Sequence, residues 1–246
     1  MQKRTFLIQL MLLAGLLLSV GILFGCDTPA ANPGCGGVQQ IEQRDCVVMI
    51  GDSIFALSGE EEKALRNLSG QAYRTYYVSG AQMEGGMVKD IESQFDQALR
   101  QGSIRTLIMD GGGNDFFFGG ANNQKIIAEI SAAYERIFEK AANAGVENII
   151  VQGYYTTKDE DAATIVSEQQ VAKLTEEAGV KYGMNTVYFD PSNDQWFASR
   201  AADGRYDYLK ADGIHPTTVA AGELARLLWD NMVAAGMEQN EGCRNF

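Results

Sequence analysis

Cys46-Val47-Val48-Met49-Ile50-Gly51-Asp52-Ser53 is the stretch that decides the fold. Its five apolar residues run without a polar break into three turn residues. A run this short and this uniformly apolar predicts a strand buried on both faces. The same pattern returns along the chain. Ile104 to Met109 leads into Asp110-Gly111-Gly112-Gly113-Asn114-Asp115, Val146 to Val151 into Gln152-Gly153, and Thr186 to Phe189 into Asp190-Pro191. Tyr73 to Val78, rich in aromatic and β-branched residues, predicts a further strand that ends at Ser79-Gly80.

The segments between these strands carry a helical period. Val88, Ile91, Phe95 and Leu99 are three or four residues apart, as are Ile127, Ile130, Tyr134, Ile137 and Phe138. Helices are expected over about Glu60 to Leu68, Met87 to Leu99, Ile126 to Ala144, Ala162 to Gly179 and Thr217 to Ala235, with a long loop from Asp190 to Asp212. Apolar strands alternating with amphipathic helices imply an α/β protein with a parallel sheet covered on both sides. Right-handed crossovers narrow the topology to a three-layer α/β/α, flavodoxin-like arrangement of five parallel strands, order 2-1-3-4-5. Ligands of such folds bind beyond the carboxyl ends of the strands, where every unusual motif of this sequence falls.

Residues 1–25 are of another kind. Lys3 and Arg4 precede an apolar run from Phe6 to Phe24, the pattern of an export signal. The run closes on Leu23-Phe24-Gly25-Cys26, which resembles the lipobox of bacterial lipoproteins, and so implies a diacylated (palmitate-bearing) Cys26. The alternative is an uncleaved membrane anchor. Either puts the folded part outside the cytoplasm, in the cell envelope, lipid-anchored on the periplasmic or extracellular side of a bacterial membrane in the first case. Residues 26–45, with Pro29, Pro33, Gly34, Gly36 and Gly37, read as a flexible tether, and residues 46–246 as the single globular domain.

The formal charge of −12 argues against a basic patch for DNA, RNA or anionic headgroups. With Cys26 lipidated, Cys35, Cys46 and Cys243 remain, enough for one disulfide in an exported protein. The last helix runs antiparallel to the strands and returns to the sheet edge where the first strand begins. That favours Cys46–Cys243, with Cys35 as the other candidate. No C-x-x-C spacing suggests a metal site.

His215 is the sole histidine. Asp212 stands three residues before it in a glycine-containing loop, a spacing at which a carboxylate can reach Nδ1 and leave Nε2 to take a proton. Pro216 is expected to open the last helix. Ser53 sits at a strand-to-helix turn, and Asn114 follows three glycines. Together, Gly51-Asp52-Ser53, Gly80, Gly112-Gly113-Asn114-Asp115 and Asp212-Gly213-Ile214-His215-Pro216 resemble the four signature blocks of the SGNH (GDSL-type) hydrolases, over about Val47 to Thr217. Ile54 stands where many members have Leu, and Gly85 and Gly86 lie near Gly80.

The resemblance implies a serine esterase: Ser53 as nucleophile, His215 as base, Asp212 as its partner. It also implies an oxyanion hole from the Ser53 and Gly80 amides and the Asn114 side chain. No metal or organic cofactor is called for. Phe116-Phe117-Phe118, Tyr154-Tyr155 and Trp196-Phe197 fall near the expected cleft, where they could line an acyl groove, stack on a sugar or simply pack the top of the sheet. Three functions follow: a general esterase on short acyl or lipid esters, a polysaccharide O-deacetylase, or a lipid-anchored binding protein without turnover. The complete set of signature residues argues against the last. The partner is thus a small-molecule or glycan ester, not nucleic acid, with the membrane reached through the lipid anchor.

Overall fold

The computed structural model describes residues 47–57, 59–158 and 162–238. Cys26, Cys35, Cys46 and Cys243 lie outside them, and so do the signal segment, the tether and the Cys46–Cys243 pairing. Within them, strands and helices alternate: β1 (Val47–Ile50), α1 (Ser53–Ala56), α2 (Glu60–Ser69), β2 (Arg74–Thr75), α3 (Ile91–Arg100), β3 (Thr106–Met109), α4 (Gly113–Phe118), α5 (Asn123–Asn143), β4 (Asn148–Gln152), α6 (Ala162–Tyr182), β5 (Asn185–Phe189), α7 (Gln195–Ala202) and α8 (Thr218–Ala234). The five strands are parallel in the order β2-β1-β3-β4-β5, as expected.

The continuous apolar strands are explained by their two covered faces. Val48, Ile50, Leu107, Met109, Ile149 and Val151 point to one side, against Ile91 and Phe95 of α3, Ile130 and Tyr134 of α5 and Val171 of α6. Val47, Met49, Ile108 and Ile150 alternate to the other side, against Leu65 of α2 and Ala225, Leu228 and Met232 of α8. Each such aliphatic side chain contributes roughly 1.5–3 kcal/mol when fully buried. Among the described residues, no helix is long and apolar enough to cross a membrane.

Three boundaries differ from the sequence reading, each for a local reason. The helix expected from Met87 starts at Ile91, because the Asp90 carboxylate accepts the Ser93 N–H at 2.7 Å and caps it there. Met87 is left almost wholly exposed in the preceding loop. The regular ladder of β2 is two residues long, but its chain continues alongside β1. Tyr76 N–H donates to the Met49 carbonyl (2.9 Å) and Val78 N–H to that of Gly51 (3.1 Å). The loop after β5 contains α7, started by the Asp194 carboxylate on the Trp196 N–H (2.8 Å). Only Phe197 of that helix is buried, so its sequence shows no apolar stripe.

Gln94 of α3 is fully buried and holds the end of β1. It accepts the Gly51 N–H at 2.8 Å and donates to the Gly51 carbonyl at 3.0 Å. Gln94→Leu keeps the volume but strands the Gly51 N–H. It is expected to lower the free energy of unfolding by about 1–3 kcal/mol, read from the urea midpoint with an unchanged slope.

Candidate active site

The site forms where the turns after β1, β2, β3 and β4 meet the loop before α8. At the first turn, Gly51 adopts φ +154°, and a Cβ there would lie 1.9 Å from Asp110 Oδ1. That oxygen accepts the Asp52 N–H at 2.7 Å. Asp52 in turn caps α1, accepting the Ile54 N–H at 2.9 Å. Ser53 is therefore the first residue of a short helix, with its backbone N–H in the turn where a helix supplies no acceptor of its own.

The Asn114-Asp115 pair holds the turn after β2. Asn114 Nδ2 donates to the Ala81 carbonyl at 2.9 Å, and the Asp115 carboxylate accepts the Met83 N–H at 3.0 Å. Between the anchored residues and β2, the Ala81 N–H closes a turn onto the Val78 carbonyl (3.1 Å) with Gly80 at φ +80°. A Cβ at Gly80 would meet no neighbour, so backbone conformation rather than space calls for glycine there. Gly80 and Asn114 are thus joined by one hydrogen bond to the residue next to Gly80, and the second Asn114 N–H has no partner among the described residues.

His215 is buried, and its orientation is fixed from one side. Asp212 Oδ2 lies 2.9 Å from Nδ1, while Asp212 Oδ1 accepts the N–H groups of Ile214 and His215, each at 2.9 Å. Burial works to raise the Asp212 pKa. The His215 and Ile214 amides and the imidazole outweigh it, holding the carboxyl below its ordinary value and ionised. An ionised Asp212 can only accept, so Nδ1 is the donor of that pair. Pro216 does not open α8. It sits in an antiparallel bridge with Leu209, flanked by Lys210 N–H to the His215 carbonyl (2.7 Å) and Thr217 N–H to the Tyr208 carbonyl (2.8 Å). Neither bond needs an N–H from proline, and Thr217 takes the cap of α8 instead.

The loop of His215 and the turn of Ser53 share an environment. Ile54 belongs to the same apolar cluster as Tyr208, Leu209, Ala220 and Leu224, which flank His215. Burial raises the pKa of Asp52, and the Ile54 N–H, the Tyr154 hydroxyl and the nearby charge of His215 pull it part of the way back. The Ser53–His215 hydrogen bond itself is not formed: His215 Nε2 is buried with no partner among the described residues. Such contacts are commonly long before substrate binds.

The aromatic residues divide. Phe117 and Phe118 are about half exposed, edge to face at 5.0 Å. Phe197 is buried, stacked on Tyr155 at 5.7 Å. The Tyr155 hydroxyl donates to the Ile214 carbonyl (2.7 Å) and that of Tyr154 to Asp52 Oδ2 (2.8 Å). Consecutive residues after β4 thus reach the two halves of the site. The sequence placed these tyrosines near the cleft but gave no sign of their partners. Three acids gather beneath Ser53: Asp52, Asp110 and Glu61. Glu61 accepts from Gln152 Nε2 at 3.3 Å. The Asp110 pKa is pushed well up, first by burial and then by the neighbouring Asp52. Among the described residues, no group of acids, histidines and cysteines is arranged to hold a metal ion.

A family model described as GDSL-like Lipase/Acylhydrolase family matches residues 49–221. The chain belongs to that family. No curated relative is matched by its sequence. Solved structures of this SGNH fold resemble it at low identity. An acetyl xylan esterase, AlAXEase, has a TM-score of 0.59 at 12% identity, over 75% of this chain and 98% of its own. An acetyl-xylooligosaccharide esterase from Geobacillus stearothermophilus has a TM-score of 0.57 at 15% identity, over 84% and 99%. The psychrotrophic esterase EstA from Pseudoalteromonas sp. has a TM-score of 0.52 at 15% identity, over 77% and 97%. These likenesses are of fold; with the family match they support an ester hydrolase at family level.

The buried acids give a pH signature. Burial raises the Glu61 pKa to about 8. Between about 4.5 and about 8 the native protein keeps a proton that the unfolded chain has released, so stability falls as pH rises through that window. Asp115, raised to about 7 by burial, acts in the same sense. Glu61→Gln is expected to make the fall shallower and to leave the variant more stable than the native protein at pH 8, as measured by urea unfolding from pH 4.5 to 9. Parallel curves for the two proteins would remove Glu61 from the account.

Proposed function

We propose that this family member hydrolyses carboxylic esters in two steps through an acyl-enzyme on Ser53. His215 Nε2 takes the Ser53 hydroxyl proton as Oγ attacks the ester carbonyl. Asp212 holds the ring by Nδ1 and stabilises the imidazolium. The carbonyl electrons move onto oxygen, where the Ser53 and Gly80 amides and the free Asn114 N–H are the donors. One donor of this kind is worth about 2.7–4 kcal/mol in the transition state. Collapse of the adduct expels the alkoxide, which leaves with the proton from His215. Water, deprotonated by the same nitrogen, then releases the carboxylic acid and frees Ser53.

The observation that carries this reading is the Asp212–His215 pair, its Nε2 unpartnered, beside the turn that bears Ser53. An esterase neighbour described as inhibited by monoethylphosphonate is consistent with a nucleophile of this type. Acyl groups of short chain are the favoured substrates, with lipid esters as the longer extreme. A second reading, O-deacetylation of a polysaccharide, is favoured by the two neighbours named for acetyl xylan and acetyl-xylooligosaccharides. Aryl esters of increasing chain length, set against acetylated glycans that release acetate, separate the two. A binding protein without turnover is disfavoured, since Ser53, Asn114, Asp212 and His215 are all present.

Ser53→Ala and His215→Ala are each expected to cut aryl acetate hydrolysis by roughly 10³-fold or more without unfolding the domain. A fluorophosphonate should label the native protein at Ser53, located by mass mapping, and should not label Ser53→Ala. Near-native turnover in either variant would cancel that residue's role.

The site is further proposed to work at the cell envelope, held by a lipid on Cys26 after removal of residues 1–25. Two acyl chains make such anchoring stable. In a bacterial host, Cys26→Ala is expected to shift the protein out of the detergent-soluble membrane fraction and to abolish incorporation of labelled palmitate. Unchanged membrane retention without palmitate would instead indicate an uncleaved anchor.

A further inference from the structure

We propose that Tyr154 is a positioning residue of this site, its hydroxyl tying the turn that carries the nucleophile to the turn that carries the oxyanion donor. The inference rests on the reading of Ser53 as nucleophile and adds a residue outside the signature blocks. The Tyr154 hydroxyl accepts the Gly113 N–H at 3.0 Å and donates to Asp52 Oδ2 at 2.8 Å. Those partners are the residues immediately before Asn114 and immediately before Ser53. One oxygen therefore bridges two turns about 60 residues apart, reinforcing at their far ends the bond from the Asp52 N–H to Asp110 Oδ1.

The tie is anchored at each end. Asp52 uses its other oxygen to cap α1, so its carboxylate cannot swing without turning the first residue of that helix, Ser53. Gly113 opens α4, and Asn114 is held in turn by the Ala81 carbonyl. A Cβ at Gly113 would stand 3.2 Å from the Tyr154 ring, so the phenol is packed against the turn it bonds. At its own end, the Tyr154 N–H donates to Glu168 Oε1 of α6 at 3.0 Å, which fixes the backbone from which the ring projects. The hydroxyl is also well matched to a carboxylate acceptor. Its own pKa is pushed well up, first by burial and then by Asp52 and Asp110, so it stays a donor. Loss of this bond would leave Asp52 Oδ2 and the Gly113 N–H both unpaired, free to relax apart. A misplacement of about 1 Å between reacting groups costs on the order of 10²-fold in rate.

The test is Tyr154→Phe, which keeps the ring and removes the hydroxyl. With an aryl acetate as substrate, kcat is expected to fall about 10- to 100-fold while KM moves less than about 3-fold. The rate at which a fluorophosphonate labels Ser53 should fall in parallel. Tyr73→Phe is the control. It too loses a buried phenolic hydrogen bond, to Ser69, but at the opposite end of the sheet, and its kcat and labelling rate should stay native. If Tyr154→Phe does not fold, Asp52→Asn carries the test. Its amide oxygen can still cap α1, while the negative acceptor of the Tyr154 hydroxyl is gone, and the same kcat-selective loss is expected. Native kcat and labelling rate in the folded Tyr154→Phe protein, or an equal fall in Tyr73→Phe, would overturn the inference alone. A native protein that no fluorophosphonate labels at Ser53 would instead sink the nucleophile and, with it, the positioning role.

Discussion

Asp110 Oδ1 lies where a side chain at position 51 would have to be, and accepts the Asp52 N–H there at 2.7 Å. The rest of the site is built around that close approach. It requires glycine at the end of β1, and it requires a carboxyl group at the end of the neighbouring strand, β3. It also sets the direction in which the chain leaves the sheet, because Asp52, once held by its N–H, can turn its own carboxylate back onto Ile54. Ser53, half-buried at the mouth of the sheet, is placed by three buried contacts, none of them its own.

Such an arrangement brings acids together. Asp52, Asp110 and Glu61 are each almost fully buried, and none has a lysine or arginine partner among the described residues. Burial favours the neutral form of each, and the nearness of one carboxylate opposes ionisation of the next. The hydrogen bonds then decide which of them keeps its charge. Asp52 accepts from the Ile54 N–H and from the Tyr154 hydroxyl, one on each oxygen, so its ionised form is the better satisfied. Asp110 has one oxygen without a partner among the described residues, and its second site is where a proton is best held. Burial pushes all three pKa values up, which works against a build-up of negative charge next to Ser53, where a further negative charge develops on the oxyanion.

Strands β1, β3 and β4 were legible in the sequence because both faces of each are covered: Val47 to Ile50 could hardly be anything but a buried strand. The catalytic candidates were legible because each stands at a strand end or before the last helix, among glycines. Less could be read where the deciding contact is distant. Asp90 sets the start of α3 through a local cap, visible in principle as an Asp before an apolar stripe, yet Val88 imitates that stripe. Helix α7 hides because Phe197 alone is buried. Pro216 looked like a helix opener because proline suits that place. The bridge to Leu209 that claims it is made by residues seven positions back. Tyr154 and Tyr155 gave nothing beyond their position, since their partners lie about a hundred and about sixty residues away.

His215 shows why this packing has to be firm. Its Nε2 is buried and pairs with no protein group among the described residues, so the aim of that nitrogen is set from the other side of the ring. Asp212 grips Nδ1 and the Ile214 and His215 amides at once, and Tyr155 holds the Ile214 carbonyl. The loop is stapled on its outer side by the Leu209–Pro216 bridge. Nε2 is thereby left with its lone pair uncommitted to any protein donor among the described residues and with its direction fixed. A base aimed in this way serves the reaction only if the ring stays in place. That is why the bonds around His215 outnumber those His215 makes with its own side chain.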